Sequence, residues 1–191
     1  YIERSIAIAE QMNQLVQSLL FIAYVENGTV MPVFEKSDFA ELVRRSVGEM
    51  SCLIEDKGQQ LSVDIPDRAI CWFDSDMMER VIKNLLENAA KYSPVKGSIA
   101  ISMSQDRSAD ITFEIENTGV AIPNDSLPRL FEPFYRVDAS RSRENGGNGL
   151  GMYIIKTLLE SHYASYGICN TDKGVKFQFC LIASKIHRKS I

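Results

Sequence analysis

Residues 75 to 92, SDMMERVIKNLLENAAKY, place Met78, Val81, Ile82, Leu85, Leu86 and Ala89 at steps of three and four. At about 100° per residue these side chains make a broad apolar face on one helix, and a face of that width lies on a sheet. Strand-like runs elsewhere can supply one. They are Val30 to Phe34, Gln60 to Ile65, Ala69 to Phe73, Ser98 to Ser104 and Ala109 to Glu116, and a closing hairpin of Ala164 to Asn170 and Val175 to Leu181 about Asp172-Lys173-Gly174. Two more helices separate them. One opens at Asp38-x-x-Glu41, a capping-box pattern, and runs to about Lys57-Gly58; the other spans Leu150 to His162. Helices alternating with strands joined by short turns predict an α+β fold, a two-layer sandwich with one mixed sheet and helices on one face.

A longer helix precedes this domain. Ile2, Ile6, Ala9, Met12, Val16, Leu19 and Ala23 draw a single stripe before the stop signal Asn27-Gly28. The stripe has no evident partner in the remaining text, so it is expected to pack on a helix outside these residues or on a second chain. The chain begins at Tyr1 inside that helix, which points to a piece of a longer protein.

The 191 residues are 45% apolar, enough for an ordinary core, and 21 basic against 25 acidic side chains leave a net charge of −4. Nothing in that balance points to nucleic acid or to an anionic membrane as the main partner. The longest strongly apolar run, Leu19 to Val25, is far short of a membrane span. Cys52, Cys71, Cys169 and Cys180 form no C-x-x-C pair and are expected to be buried free thiols.

The helix of the broad face carries a second pattern. Asn84, Asn88 and Lys91 fall within roughly 60° of one another, on a stripe bordering the apolar face. Asparagine inside a helix costs up to about 0.7 kcal/mol against alanine, and this helix carries that cost twice on one stripe. An amide oxygen can ligate a hard cation, an ammonium can meet a phosphate, and the adjacent Tyr92 can cover a flat base. Together they suit a magnesium nucleotide. Residues 118 to 148 are rich in Gly, Pro, Asn, Ser and Arg, and a loop of that length within a compact domain is either functional or disordered.

Four stretches carry a family resemblance. NLLENAAKYSP resembles the N box of sensor histidine kinases, members of the GHKL ATP-binding superfamily. ENTGVAIP is similar to the G1 box, LFEPFYRVD to the F box and GGNGLGMYI to the G2 box, in that order. The resemblance covers about residues 29 to 182 and implies the GHKL sandwich, with ATP and Mg²⁺ as ligands. It implies that the Asn88 oxygen holds the metal between phosphates, that Asn84 lies near the γ-phosphate as the residue closest to catalysis, that Lys91 contacts phosphate and that Tyr92 stacks on adenine. Glu87 points to solvent on the same wheel and receives no role.

The G1 box of the family reads Asp-x-Gly-x-Gly. Here Asn117 stands at the aspartate, Gly119 at the first glycine and Ala121 at the second, followed by Ile122. An amide oxygen still accepts a hydrogen bond from the adenine amine, without the charge, and Ala121 requires a position free of positive φ. Gly147-Asn148-Gly149-Leu150-Gly151 leads into a helix, so its N–H groups can receive the triphosphate. The resemblance implies that Phe131 and Phe134 anchor a lid at about residues 124 to 147, and that Arg141 or Arg143 reaches the phosphates when it closes.

The acceptor is missing from this text. His162 and His187 are the two histidines, and neither lies in a phosphoacceptor motif of the family. Residues 1–28 are similar to the second helix of the dimerisation hairpin, residues 29–185 to the catalytic domain, and 186–191 form a basic tail. The resemblance therefore implies a histidine protein kinase fragment that binds ATP without phosphorylating itself. It acts with a missing dimerisation helix, a second protomer and a response regulator, as the cytoplasmic domain of a membrane-anchored protein. Two other readings stay open: a GHKL-type ATPase, although Asn84 occupies the position of that group's glutamate base, and a degenerate nucleotide-sensing or partner-docking module.

Overall fold

The computed structural model describes residues 2–137 and 148–182. Along the chain these form α1 (Ile2–Glu26), β1 (Glu35–Asp38), α2 (Phe39–Asp56), β2 (Gln60–Asp64), β3 (Ile70–Phe73), α3 (Ser75–Tyr92), β4 (Ser98–Gln105), β5 (Ile111–Thr118), a 3₁₀ turn (Pro128–Phe131), α4 (Gly151–Ser161), β6 (Ser165–Asn170) and β7 (Gly174–Leu181).

Five strands make a sheet in the order β2-β4-β5-β7-β6, with β2 parallel to β4 and every other pair antiparallel. Because successive side chains alternate across a strand, Ile99, Ile101 and Met103 of β4, Ile111, Phe113 and Ile115 of β5, and Phe177, Phe179 and Leu181 of β7 are buried on one face. The opposite face is polar, and there Lys176 Nζ donates to Glu114 Oε1 at 3.0 Å. The helices cover the apolar face, the arrangement expected from the sequence. At its centre Phe39 of α2 meets Phe73 edge-on at 5.2 Å, and Phe113 stacks on Phe179 at 5.1 Å. Helix α3 buries Met77, Met78, Val81, Ile82, Leu85, Leu86, Ala89 and Ala90 against that layer.

The first expected strand needs correction. Val30 to Phe34 is irregular, and β1 starts at Glu35, paired antiparallel with β3 in a separate two-stranded sheet. Pro32 has no N–H to give a ladder, while the Val33 N–H is taken by Asp74 Oδ2 at 2.8 Å. The capping box is half formed. Asp38 Oδ1 accepts from the N–H groups of Ala40 and Glu41, but Glu41 turns to Arg44 instead of back to the cap.

Helix α1 docks on the domain through a face separate from the stripe expected to meet a partner outside these residues. Ile22 is buried and Leu15, Phe21 and Val25 are partly buried against the core. The Arg80 guanidinium of α3 sits 4.2 Å from the Phe21 ring centroid, and Tyr153 of α4 donates to Glu26. Ile6, Met12, Val16 and Leu19 remain exposed. The cysteines are corrected too. Cys71 is buried and Cys180 half-buried, but Cys52 and Cys169 are exposed, and all four are free. Among the described residues no helix is long and apolar enough to cross a membrane.

Candidate functional site

Helix α3 presents its polar stripe to the start of α4. Its first turn is held by Asp74, whose Oδ1 accepts from the Met77 N–H at 2.9 Å. Along the stripe Asn84 Nδ2 donates to the Arg80 carbonyl at 2.8 Å and Asn88 Nδ2 to Met152 Sδ at 3.5 Å. With both nitrogens tied back, both amide oxygens are left to accept from a donor or to meet a cation.

The opening of α4 is glycine for steric reasons. A Cβ on Gly151 would lie 3.2 Å from Asn84 Oδ1 and 3.8 Å from Asn88 Oδ1, so a side chain there would enter the space those oxygens face. At Gly149, φ is +68° and a Cβ would stand 2.8 Å from the Phe134 carbonyl carbon. The Phe134 N–H donates to the Gly149 carbonyl at 3.0 Å, which ties the segment after the 3₁₀ turn to the glycine run. Asn84, Asn88, Gly149, Leu150 and Gly151 are thus brought together, with Leu150 buried beneath them.

At the far end of α3 the stripe finishes in Lys91 and Tyr92. The Lys91 ammonium lies 5.4 Å from the Tyr92 ring centroid, and Tyr92 is exposed. Burial lowers the Lys91 pKa, and the neighbouring charges of Arg136 and Lys57 push it the same way. Positive charge gathered there favours an anion. Beneath, the end of β5 is packed closely: a Cβ on Gly119 would lie 3.0 Å from the Tyr92 carbonyl oxygen, and one on Gly174 would lie 2.2 Å from the Asn117 carbonyl oxygen. Asn117 continues the inward-facing row of Ile111, Phe113 and Ile115, and its Nδ2 donates to the Thr118 carbonyl at 3.2 Å.

Ala121 has no positive φ, so an alanine fits the position. Ile122 is clamped from both sides, its N–H donating to Asn170 Oδ1 and its carbonyl accepting from Asn170 Nδ2, each at 2.8 Å. Phe131 packs edge-on to Tyr166 at 5.1 Å, as an anchor does. Phe134 departs from that expectation. Its φ of +65° turns the ring outward, where it is exposed, and the backbone makes the attachment instead. Arg141, Arg143 and Gly147 lie outside the described residues.

Several residues of this region escaped the sequence reading. Met152 and Asn170 act through contacts 64 and 48 residues away, and Arg80 extends the stripe by one helical turn toward α1. The Arg80 spacing was visible in the sequence; the other two had no local signal. His162 is fully buried, with Nε2 accepting from the Asp74 N–H at 3.1 Å and Nδ1 2.7 Å from the Leu158 carbonyl oxygen.

Comparison with known proteins gives the family and the fold. Residues 73–185 match the family described as histidine kinase-, DNA gyrase B- and HSP90-like ATPase. The sensor histidine kinase CusS of an Escherichia coli strain is 32% identical over 174 residues, covering 91% of this chain and 36% of that protein. The sensor protein VanSB of Enterococcus faecalis is 28% identical over 177 residues, or 93% and 39%. The chain thus spans well under half the length of these relatives. Among solved structures, the mycobacterial sensor histidine kinase MprB superposes with a TM-score of 0.69 at 25% identity, covering 78% of this chain and 97% of that one. The Acinetobacter baumannii histidine kinase AdeS has the same fold, with a TM-score of 0.80 at 20% identity over 95% of this chain and 83% of that one. The family match over more than half of the chain, with sensor histidine kinases as its relatives, establishes that the chain belongs to the histidine kinase-, DNA gyrase B- and HSP90-like ATPases and has the fold of a histidine kinase catalytic domain.

Proposed function

We propose that this domain binds Mg-ATP between α3 and α4 and presents the γ-phosphoryl group to a histidine on a dimerisation hairpin. The observation that carries the reading is the meeting of Gly151 with both asparagine amides. Magnesium keeps few protein ligands and completes its shell with phosphate oxygens and water, so one amide oxygen, that of Asn88, is enough to place it. The ion would neutralise phosphate charge. Asn84 then borders the γ-phosphate, Lys91 the phosphate chain, and the N–H groups from Gly147 through Gly151 receive the anion at the start of α4. Tyr92 and Asn117 take the base, with Gly119, Ala121 and Ile122 along its edge and Phe134 at the lid. Arg141 and Arg143 belong to that lid.

The acceptor of this reaction is not His162, because both ring nitrogens are engaged inside the core. It belongs to a hairpin of which α1 is the second helix, and the exposed stripe of α1 is where a second protomer packs. The phosphoryl group passes from that histidine to a response regulator; a histidine kinase of the same fold, ThkA, has been solved in complex with its response regulator protein TrrA. The domain works on the cytoplasmic side of a membrane-anchored sensor. Catalysis of this kind is mostly positioning, so the fragment alone binds nucleotide without forming phosphohistidine.

Calorimetry with a non-hydrolysable ATP analogue tests the site. Binding is expected with Mg²⁺, and Asn88→Ala is expected to weaken it by about tenfold or more. Equal affinity in the variant overturns the assignment. Labelled ATP that yields phosphohistidine at His162 or His187 overturns the missing acceptor. Steady hydrolysis abolished by Glu87→Ala would favour a water-activating ATPase instead.

A further inference from the structure

The chain between β5 and the 3₁₀ turn is held at its middle by one side chain. It leaves the sheet after Thr118, passes the start of β7, where the Gly119 N–H donates to the Lys173 carbonyl at 3.4 Å, and reaches the end of β6. There Asn170 takes both main-chain groups of Ile122: Oδ1 accepts from the N–H and Nδ2 donates to the carbonyl, each at 2.8 Å. One residue gives a neighbouring strand this same pair of groups in an antiparallel ladder, so the amide acts as a strand one residue long. Its orientation is locked, because exchanging oxygen and nitrogen would turn both bonds into repulsions. Pro123 favours an extended backbone at Ile122, and the Pro123 carbonyl then accepts from the Ser126 N–H at 2.9 Å as the chain enters the 3₁₀ turn. Packing gives the segment little hold here: Val120 is 86% exposed, and Ala121 is exposed too.

We propose that Asn170 is a positioning residue for the nucleotide base, fixing residues 119–122 as the wall of a pocket whose floor is Asn117. This rests on the reading above, in which the base lies over Asn117 with that segment along its edge. Asn117, Val175 and Asn170 are register partners in one row across β5, β7 and β6, so the three side chains share the face of the sheet that the helices cover. Wall and floor are therefore fastened to the same end of one sheet. A wall already in place spares the incoming base the entropy of ordering a loop. The phosphates gain nothing from it, since they are received at α3 and the start of α4.

Calorimetry of the domain with Mg²⁺ separates the two parts of the ligand, using a non-hydrolysable ATP analogue and tripolyphosphate, which has neither base nor sugar. Asn170→Leu is expected to lower the ratio of the two affinities about tenfold, the analogue losing more. Asn170→Asp keeps the acceptor but sets a carboxylate oxygen against the Ile122 carbonyl, and it is expected to lower the ratio likewise. Circular dichroism checks that both variants fold. A merely structural lesion weakens both ligands alike, so a native ratio in either variant overturns the inference while leaving the ATP site standing. The native domain supplies a check independent of any substitution. By NMR hydrogen exchange the Ile122 amide is expected to be protected about tenfold or more beyond that of Val120, and equal protection overturns the clamp. Failure of the native domain to bind the analogue more tightly than tripolyphosphate overturns the base reading and the inference together.

Discussion

Gly149 and His162 show how much a single position can hold in this domain. Gly149 combines a left-handed backbone with contact against the Phe134 main chain, so no rotamer change relieves a substitution. Gly149→Ala is expected to cost about 1–3 kcal/mol, read as a lowered midpoint in urea at unchanged slope. His162 tests burial instead of strain. Desolvation holds its pKa below the usual value, against an opposing pull from the Leu158 carbonyl and the Asp74 charge. Above the ordinary histidine pKa both folded and unfolded chains are neutral there, and its contribution to stability is complete. As pH falls below that value the unfolded chain takes up the proton first, so stability declines until the folded pKa is passed. Thermal unfolding between pH 7 and 5.5 is expected to show that decline, reduced in His162→Gln. The asparagine stripe was legible because a repeated helix-unfavourable residue stands out. The Asp74 contact of the His162 ring was not, since Asp74 lies 88 residues away and reaches the ring only after folding.

Among the elements, α3 was the most legible. Eighteen residues with a strong period of 3.6, an aspartate cap and a proline two positions past the end leave little choice of boundary, and the helix runs from Ser75 to Tyr92 as expected. Its burial is correspondingly tight: Leu86 is fully enclosed, and Leu86→Ala is expected to cost about 2–5 kcal/mol by chemical denaturation. Val30 to Phe34 has the apolar content of a strand, but Pro32 cannot donate to a ladder, and β1 begins at Glu35. Helix α1 was read through the stripe that stays exposed, while Leu15, Phe21, Ile22 and Val25 make the contact. That docking rests partly on Arg80 over the Phe21 ring. Phe21→Ala is expected to raise hydrogen exchange along the second half of α1 while leaving β4, β5 and β7 protected; unchanged exchange would show that the contact does not hold the helix.

At the scale of the molecule, the proposed nucleotide site draws on an edge of α3, the start of α4 and the end of β5. A ligand bound by all three is a cross-link of the native state. At a hundred times its dissociation constant, Mg-ATP is expected to stabilise the domain by about 2.7 kcal/mol, seen as a rise in Tm that Asn88→Ala diminishes. The helices, the strands other than β1, the one-sided sheet and the chemistry of the stripe were determined by local periodicity and residue type, which need only neighbours along the chain. The strand order, the separate β1–β3 ladder, the face by which α1 docks and the approach of Gly151 to Asn84 and Asn88 were decided by tertiary structure alone. Those contacts join residues tens of positions apart, and packing selects them by mutual fit, for which no stretch of sequence carries a local signal.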